Sequence, residues 1–162
     1  MSSGFSLKRF YLETIGKVIP SDVFSARHVV SVKGICFIDN KVVLLKNERD
    51  EWDLPGGKLK RNEDIQECLQ REIEEELNIV VQVDKLLDVT KLTIMNTIDV
   101  LVMVFLCSTD CSMQQLKISA ENFGVDCFDV VEVDALKIES VYKQMIRRAF
   151  LEQELLQSSG SV

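Results

Sequence analysis

Residues 57–79 of the chain read GKLKRNEDIQECLQREIEEELNI, and this stretch contains the strongest helical pattern in the sequence. A helix advances by about 100° per residue, so residues three and four positions apart share one face. The spacing of the apolar residues predicts a helix over residues 63–77. Its apolar face consists of Ile65, Cys68, Leu69, Ile73 and Leu77.

Three glutamates of this helix lie on or beside its apolar face: Glu72 and Glu76 fall within it, and Glu75 lies at its border. Carboxylates on a core-facing stripe cost free energy unless another group compensates for the water that they lose. Arg71 can pair with one of them and cannot neutralise all three. Glutamates at this spacing project from neighbouring positions and suit a hard divalent cation. The alternative is a solvated acidic helix with chance spacing.

Strand patterns flank the predicted helix on both sides. Apolar and β-branched runs predict five strands, over residues 29–39, 41–45, 79–89, 99–107 and 127–133. The first two read as a hairpin around Asp39-Asn40. Residues 46–53 and 107–123 read as polar loops, and residues 138–156 read as an amphipathic helix. Strands around a central helix, with a second helix at the end, predict an α/β or α+β sandwich.

Length and charge exclude several classes of protein. The chain has 162 residues, with 19 lysines and arginines against 26 aspartates and glutamates, a formal net charge of −7. Such an acidic chain is not expected to bind a nucleic acid duplex, because that binding depends on phosphate neutralisation. No secretory leader and no membrane span are visible. We therefore expect one cytoplasmic domain, a monomer or a homodimer, whose five cysteines are reduced and mostly buried.

The residue types of residues 57–79 and their spacing resemble the Nudix box, the motif of the Nudix hydrolase family. The matching residues are Gly57, Glu63, Arg71, Glu72, Ile73, Glu75, Glu76 and Ile79. Asn62 and Asn78 stand where the family pattern has glycine, and asparagine is the residue that best tolerates left-handed backbone after glycine. Asn62 could also cap the helix. Similar upstream and downstream segments extend the likeness over residues 29–136.

The resemblance implies a fold and a division of the chain. The fold would be a Nudix-type α/β/α sandwich, a mixed β-sheet with the box helix on one face and a C-terminal helix. The Nudix domain would span residues 29–157. An N-terminal arm or helix would occupy residues 1–28, and a flexible tail residues 158–162.

The resemblance also implies a reaction, in which water attacks a phosphorus of a nucleoside diphosphate linked to another group. Mg²⁺ or Mn²⁺ would assist, because a divalent cation screens the phosphate charge and activates bound water. By resemblance, Arg71 would orient a glutamate. The general base would be a box glutamate or one from a distant loop, for which Glu121 is the candidate; otherwise Glu121 is an exposed loop residue. The implied metal ligands are Glu72, Glu75, Glu76 and the backbone carbonyl of Gly57.

Three residues upstream of the box are candidate substrate contacts. Trp52 would stack on a base or ring, while Lys46 and Arg49 would contact phosphate. The alternatives are that Trp52 packs beneath residues 54–57 and that the two cations are simply solvated.

Subgroup markers of the family narrow the substrate. The chain has no proline after Pro55, and its tyrosines are Tyr11 and Tyr142. These absences argue against the ADP-ribose and dinucleoside polyphosphate subgroups. We therefore favour a nucleoside triphosphate or a modified nucleotide as the small-molecule substrate, with a nucleotide sugar as the alternative. A non-catalytic ligand sensor and a calcium-binding structural module are further alternatives, although the loop of aspartates and asparagines typical of the latter is missing.

Overall fold

The computed structural model describes residues 28–94, 97–117 and 123–159. It begins with a hairpin of two strands, β1 (Val29–Ile38) and β2 (Lys41–Lys46). The turn residues Asp39 and Asn40 have φ angles of 51° and 63°. Two consecutive positive φ angles are what a two-residue turn needs to match the right-handed twist of its strands. The predicted hairpin is therefore confirmed.

The sheet is mixed and has six strands. β1 runs parallel to β5 (Ile98–Ser108), and β5 pairs antiparallel with β4 (Gln82–Ile94). On the other side, β2 pairs with β3 (Trp52–Asp53) and with β6 (Gly124–Phe128), both antiparallel. The strand order is β3-β2-β1-β5-β4, with β6 attached to β2.

Two helices cover opposite faces of this sheet. Helix α1 (Ile65–Leu77) packs its apolar stripe against one face, and helix α2 (Ser140–Ser159) packs against the other. Leu69 and Ile73 of α1 are completely buried. Burying a side chain of this kind contributes roughly 1.5–3 kcal/mol, so packing fixes the helix on the sheet. The predicted α/β/α sandwich is confirmed.

One predicted strand is misplaced. The apolar run predicted a strand over residues 127–133, whereas β6 ends at Phe128. The chain turns there because the Asp129 carbonyl accepts the Glu132 N–H at 2.8 Å, while the Glu132 carboxylate accepts the Asp129 N–H at 2.8 Å. Val131 consequently lies in a turn, and its side chain is 84% exposed. A β-branched residue there was mistaken for a strand residue.

Other boundaries differ less. The short strand β3 lies inside the predicted loop 46–53, and β4 begins three residues later than predicted and continues to Ile94. Helix α2 starts at Ser140 and ends at Ser159, so it extends into the predicted tail. The predicted arm, apart from His28, and residues 160–162 lie outside the described residues.

The described ranges contain no helix that is long and apolar enough to cross a membrane. All five cysteines are free thiols: Cys36, Cys68 and Cys107 are buried, and Cys111 and Cys127 are half-buried. This agrees with the prediction of reduced, mostly buried thiols.

Candidate functional site

Residues 54–57, which we call the glycine loop, run alongside β1 and are hydrogen-bonded to it. The Pro55 carbonyl accepts the Gly34 N–H at 2.9 Å, and the Gly57 carbonyl accepts the Val32 N–H at 2.8 Å. These bonds tie alternate peptide units of the loop to the strand, so β1 fixes the position of the loop backbone.

The other two carbonyls of the glycine loop are bound by a lysine of the same strand. The Lys33 ammonium donates to the Leu54 carbonyl at 2.8 Å, to the Gly56 carbonyl at 3.0 Å and to the Asp53 carboxylate at 3.0 Å. An ammonium has three donors, and each of them has a partner here. β1 thus holds all four carbonyls of the glycine loop.

Both glycines lie in close contact with a neighbouring element, Gly56 with the backbone of β1 and Gly57 with the movable side chain of Glu72. Gly56 has a φ of 122°, and a Cβ there would lie 2.2 Å from the Val32 carbonyl oxygen. A Cβ on Gly57 would lie 2.3 Å from the Glu72 Oε2 atom. The loop therefore passes between β1 and helix α1 at a distance that only a backbone without side chains permits.

Helix α1 is closed at both ends by local side chains and backbone. Asp64 caps the N-terminus, because its carboxylate accepts the Gln66 N–H at 2.8 Å. The proposed cap Asn62 lies further upstream with a φ of 63°, so its predicted left-handed backbone is confirmed and its capping role is wrong. Asn78 ends the helix in the left-handed conformation, with its N–H bound to the Glu74 carbonyl at 2.9 Å.

Arg71 binds three glutamates. Its guanidinium donates to both oxygens of Glu63 at 2.7 and 3.2 Å, to Glu72 at 2.7 Å and to Glu75 at 3.2 Å. The hydrogen bonds from Arg71, and then that from the Lys60 N–H, lower the pKa of Glu63 to about 2. The same pairing with Glu63 raises the pKa of Arg71 above its ordinary value. Arg71 therefore neutralises the outer part of the acidic cluster.

Glu76 lies in a different environment from these three glutamates. It is half-buried, and its Oε2 atom accepts the Gly56 N–H at 2.8 Å. Burial raises the pKa of Glu76 to about 7, although the Gly56 hydrogen bond and the nearby Lys33 charge act in the opposite direction. A carboxyl group that burial keeps partly protonated is a group whose ionised form a bound cation would stabilise.

The box glutamates do not share one point in the described ranges, where no three histidine, cysteine, aspartate or glutamate side chains are arranged to hold a metal ion. Glu72 and Glu75 are turned toward Arg71, and Glu76 is bound by the Gly56 N–H. The donor set nevertheless fits a hard divalent cation, since carboxylate oxygens at adjacent helical positions are its preferred ligands. Binding requires side-chain rotations of Glu72 and Glu75.

The Gly57 carbonyl, the fourth predicted ligand, faces β1. Besides the Val32 N–H at 2.8 Å, it accepts a longer hydrogen bond of 3.3 Å from the Ser31 hydroxyl. Both lone pairs of this oxygen therefore have protein donors, and the longer bond is the one that a cation could replace at smaller cost.

A cavity of about 540 Å³ opens beside the glycine loop. Its walls include Trp52 and Asp53 of β3, Lys91 of β4 and Tyr142 of α2. Asp53 also accepts a hydrogen bond from Lys33, so it connects the cavity to the glycine loop. The cavity is lined by β3, β4, α2 and neighbouring loops, and helix α1 is not part of its walls.

Trp52 has a packing role in this region. Its ring makes an edge contact with Phe128, with the centroids 4.7 Å apart, and the Lys46 ammonium lies 5.5 Å from the ring centroid. The remaining surface of the half-buried indole lines the cavity. Trp52 also packs against the core cluster that contains Leu54, in line with the packing alternative, and stacking on a substrate stays a prediction.

The two predicted phosphate contacts are engaged in local ion pairs. Lys46 pairs with Asp50, and Arg49 pairs with Glu51 at 2.8 Å. Arg49 also lines the cavity, whereas the Lys46 ammonium lies over the face of the Trp52 ring. Glu121, the candidate general base, lies outside the described residues.

Sequence reasoning missed two residues of the site, Lys33 and Asp53. The signal for Lys33 was present, because a single lysine interrupts the otherwise apolar run of β1. A buried lysine needs acceptors, and their identity could not be read from the sequence.

Comparisons with known proteins agree with this geometry. The family model described as NUDIX domain matches residues 27–149. A sequence comparison with curated proteins gave no significant match.

Solved structures share the fold. The MutT protein from Methanosarcina mazei Go1 has 19% identity and a TM-score of 0.67, with 80% of this chain and 97% of that chain covered. A NUDIX hydrolase from Nitrosomonas europaea has 25% identity and a TM-score of 0.65, with 80% and 74% covered. A UDP-X diphosphatase has 21% identity and a TM-score of 0.64, with 88% and 72% covered. The family match covers most of the chain, which therefore belongs to the NUDIX domain family of hydrolases acting on acid anhydrides of phosphorus.

Proposed function

We propose that this hydrolase cleaves a pyrophosphate bond in a small nucleoside diphosphate-linked molecule with the help of Mg²⁺ or Mn²⁺. The favoured substrate is a nucleoside triphosphate or a modified nucleotide. The observation that carries the proposal is the contact of the glycine loop with two box glutamates, Glu72 through Gly57 and Glu76 through the Gly56 N–H. This contact brings two hard oxygen donors to one stretch of backbone.

In this proposal Glu72, Glu75 and Glu76 hold the metal, together with the Gly57 carbonyl. The bound cation would screen the charge of the pyrophosphate and activate water for attack at phosphorus. Arg71 has to release Glu72 or Glu75 and keep Glu63, with which it makes its bidentate contact. Glu75 is the easier to release, since its side chain is 58% exposed and its bond to Arg71 measures 3.2 Å.

The general base is a separate element of the proposal. A box glutamate is one candidate, and Glu121 from a distant loop is the other. Glu121→Gln separates them, because loss of a base that holds no metal lowers kcat and leaves the KM for the metal unchanged.

The cavity beside the glycine loop is the proposed place for the nucleoside part of the substrate. Its size, about 540 Å³, is ordinary for a small-molecule site. Trp52 offers an aromatic surface, and the walls carry the cations Arg49, Lys91 and Lys137 beside the carboxylates Glu51, Asp53 and Glu139. An anionic ligand there would have to replace the ion pairs of Arg49 and Lys137 with Glu51.

The test is a hydrolysis assay with nucleoside triphosphates, oxidised nucleotides, nucleotide sugars and dinucleotides, each with Mg²⁺ or Mn²⁺ and with chelator. Products are separated by chromatography. Glu75→Gln is the test variant, and Glu74→Gln, an exposed neighbour on the same helix, is the matched control. We expect metal-dependent products that Glu75→Gln reduces at least about 100-fold and Glu74→Gln leaves unchanged.

A nucleotide sugar as the preferred substrate would replace the favoured class by the alternative. Equal activity in the two variants, or activity in chelator, would contradict the proposed metal ligands. The absence of any turnover together with ligand-induced thermal shifts would favour a sensor.

A further inference from the structure

Lys33 occupies a position where a charged residue is costly. It lies in the middle of β1, between Val32 and Gly34, and its side chain is 13% exposed. Removing an ammonium from water is compensated only if its donors find acceptors. Its placement therefore needs an explanation in terms of what it binds.

The two carbonyls that Lys33 binds belong to the peptide units on either side of one central peptide. Lys33 holds the Leu54 carbonyl and the Gly56 carbonyl, which lie on either side of the peptide that links Pro55 to Gly56. In that central peptide, the Pro55 carbonyl accepts the Gly34 N–H, and the Gly56 N–H donates to the Glu76 carboxylate. The N–H that binds Glu76 is thus oriented by Gly34 through its own peptide unit and by Lys33 through the two neighbouring units.

An apolar residue at position 33 would leave two carbonyls without these donors. Unpaired carbonyls in a partly buried loop turn toward water, and the peptide between them turns with them. The loop has little rotational freedom to compensate by another route, because Gly56 is already in close contact with the Val32 carbonyl.

We propose that Lys33 is a positioning residue of the candidate metal site, which acts by holding the Gly56 peptide in the orientation that binds Glu76. The inference rests on the proposed function, in which Glu76 is a metal ligand. It assigns to Lys33 no contact with substrate or metal.

A positioning role and the charge of Lys33 predict opposite changes in cation affinity when Lys33 is replaced. Removing a positive charge near a cation site strengthens cation binding by Coulomb's law. Removing the lysine that orients a ligand weakens binding, and groups that orient metal ligands typically contribute about 10–100-fold to metal affinity. The direction of the change in affinity therefore separates positioning from electrostatics.

The experiment is a titration of the full chain with Mn²⁺, followed by the electron paramagnetic resonance signal of the free ion. The variants are Lys33→Met and the matched control Lys41→Met, which removes an exposed hairpin lysine paired with Asp129 at 3.1 Å. Thermal melting in chelator checks that each variant is folded. We expect the Mn²⁺ Kd to rise about tenfold in Lys33→Met and to change less than about twofold in Lys41→Met.

Mn²⁺ binding by Lys33→Met that equals or exceeds that of the unmodified chain would overturn the inference. Should Lys33→Met not fold, Lys33→Ala asks the same question, because it is neutral, has no side-chain donor and leaves space for water beside Asp53; weaker binding supports positioning, and unchanged or tighter binding overturns it. In active preparations, kcat is expected to fall with little change in the KM for the nucleotide.

A Glu76→Gln variant separates this inference from the proposed function. If the unmodified chain binds no Mn²⁺, or if Glu76→Gln binds it equally well, the proposed function fails. If both of those tests succeed and Lys33→Met still binds normally, the role of Lys33 alone is rejected.

Discussion

The carboxylates of helix α1 divide into two groups with opposite electrostatics. Arg71 binds Glu72 and Glu75, together with Glu63 upstream, and this pairing lowers the pKa of Glu63 to about 2. Glu76, one position beyond Glu75, is half-buried against the glycine loop, and its pKa is raised to about 7. One helix therefore presents glutamates that share the Arg71 guanidinium and a further glutamate, Glu76, that is bound by a backbone N–H instead.

The difference shows what a cation would add to the molecule. On the Arg71 side it would compete with an existing counter-ion. On the Glu76 side the cation would act as a directly bound counter-ion. The half-buried glutamate therefore lowers the stability of the metal-free protein and favours the metal-bound one. This is an ordinary exchange of stability for function at a binding site.

The largest expected loss of stability comes from replacing Gly56, whose N–H binds Glu76 and whose position beside β1 leaves no space for a side chain. Gly56→Ala would combine a positive φ with a Cβ that lies 2.2 Å from a backbone oxygen, and we expect it to lower the free energy of unfolding by roughly 2–4 kcal/mol. Gly57→Ala meets the movable Glu72 side chain instead and should cost less. Urea denaturation measures both. Gly124→Ala, whose Cβ would lie 3.4 Å from Lys46, is the control. Equal losses for Gly56→Ala and Gly124→Ala would contradict the close approach of the loop to β1.

Removing the Glu76 charge should stabilise the metal-free protein. The folded-state pKa of about 7 lies above the ordinary value of 4.5, so the favourable protonated form is lost as pH rises through about 7. Glu76→Gln keeps an acceptor for the Gly56 N–H, and at pH 8 in chelator we expect it to raise the free energy of unfolding by roughly 1–3 kcal/mol. The gain should vanish near pH 4.5. Thermal or urea unfolding across this pH range measures it, with Glu74→Gln as the control. A loss of stability at pH 8 would show that burial of the charge is not costly.

A smaller effect of opposite sign is expected on the Arg71 side. The pKa of Glu63 is lowered to about 2, so its contribution to stability is present above about pH 4.5 and is lost as pH falls toward 2. Glu63→Gln should therefore melt at a lower temperature than the unmodified chain at pH 7, and the two melting temperatures should converge only as the pH approaches about 2. Glu67→Gln, an exposed glutamate in the first turn of α1, is the control. A difference that stays constant from pH 7 to about pH 2 would mean that the ion pair with Arg71 contributes nothing.

Only part of the Arg71 side could be predicted from the sequence, and much of the Glu76 side could not. Glu75 follows Arg71 by four residues, so helical spacing anticipates this one pair. Arg71 also binds the adjacent Glu72 and the upstream Glu63, which helical spacing does not predict. The hydrogen bond from Lys33 to the Gly56 carbonyl joins residues 23 positions apart, and it depends on how the glycine loop packs on β1. No local pattern encodes that docking.

The difference between local periodicity and specific hydrogen bonds also explains which parts of the fold were predicted and which were not. The sandwich followed from apolar periodicity, which reports the face that each element buries. The end of β6 depended on a turn between Asp129 and Glu132, where two backbone-directed hydrogen bonds outweigh the strand preference of Val131. Turn chemistry of this kind competes with β-propensity and is not visible in the apolar pattern.

The central claim is that the box glutamates bind one divalent cation against the glycine loop. The most direct test is a crystal structure with Mn²⁺, in which anomalous scattering locates the ion. The account predicts a peak within about 2.5 Å of carboxylate oxygens of Glu72 and Glu76, with Arg71 still bound to Glu63 and Glu75 or Glu72 released from it. A structure with no peak at this place, or with Mn²⁺ bound elsewhere while Arg71 retains all three glutamates, would contradict it.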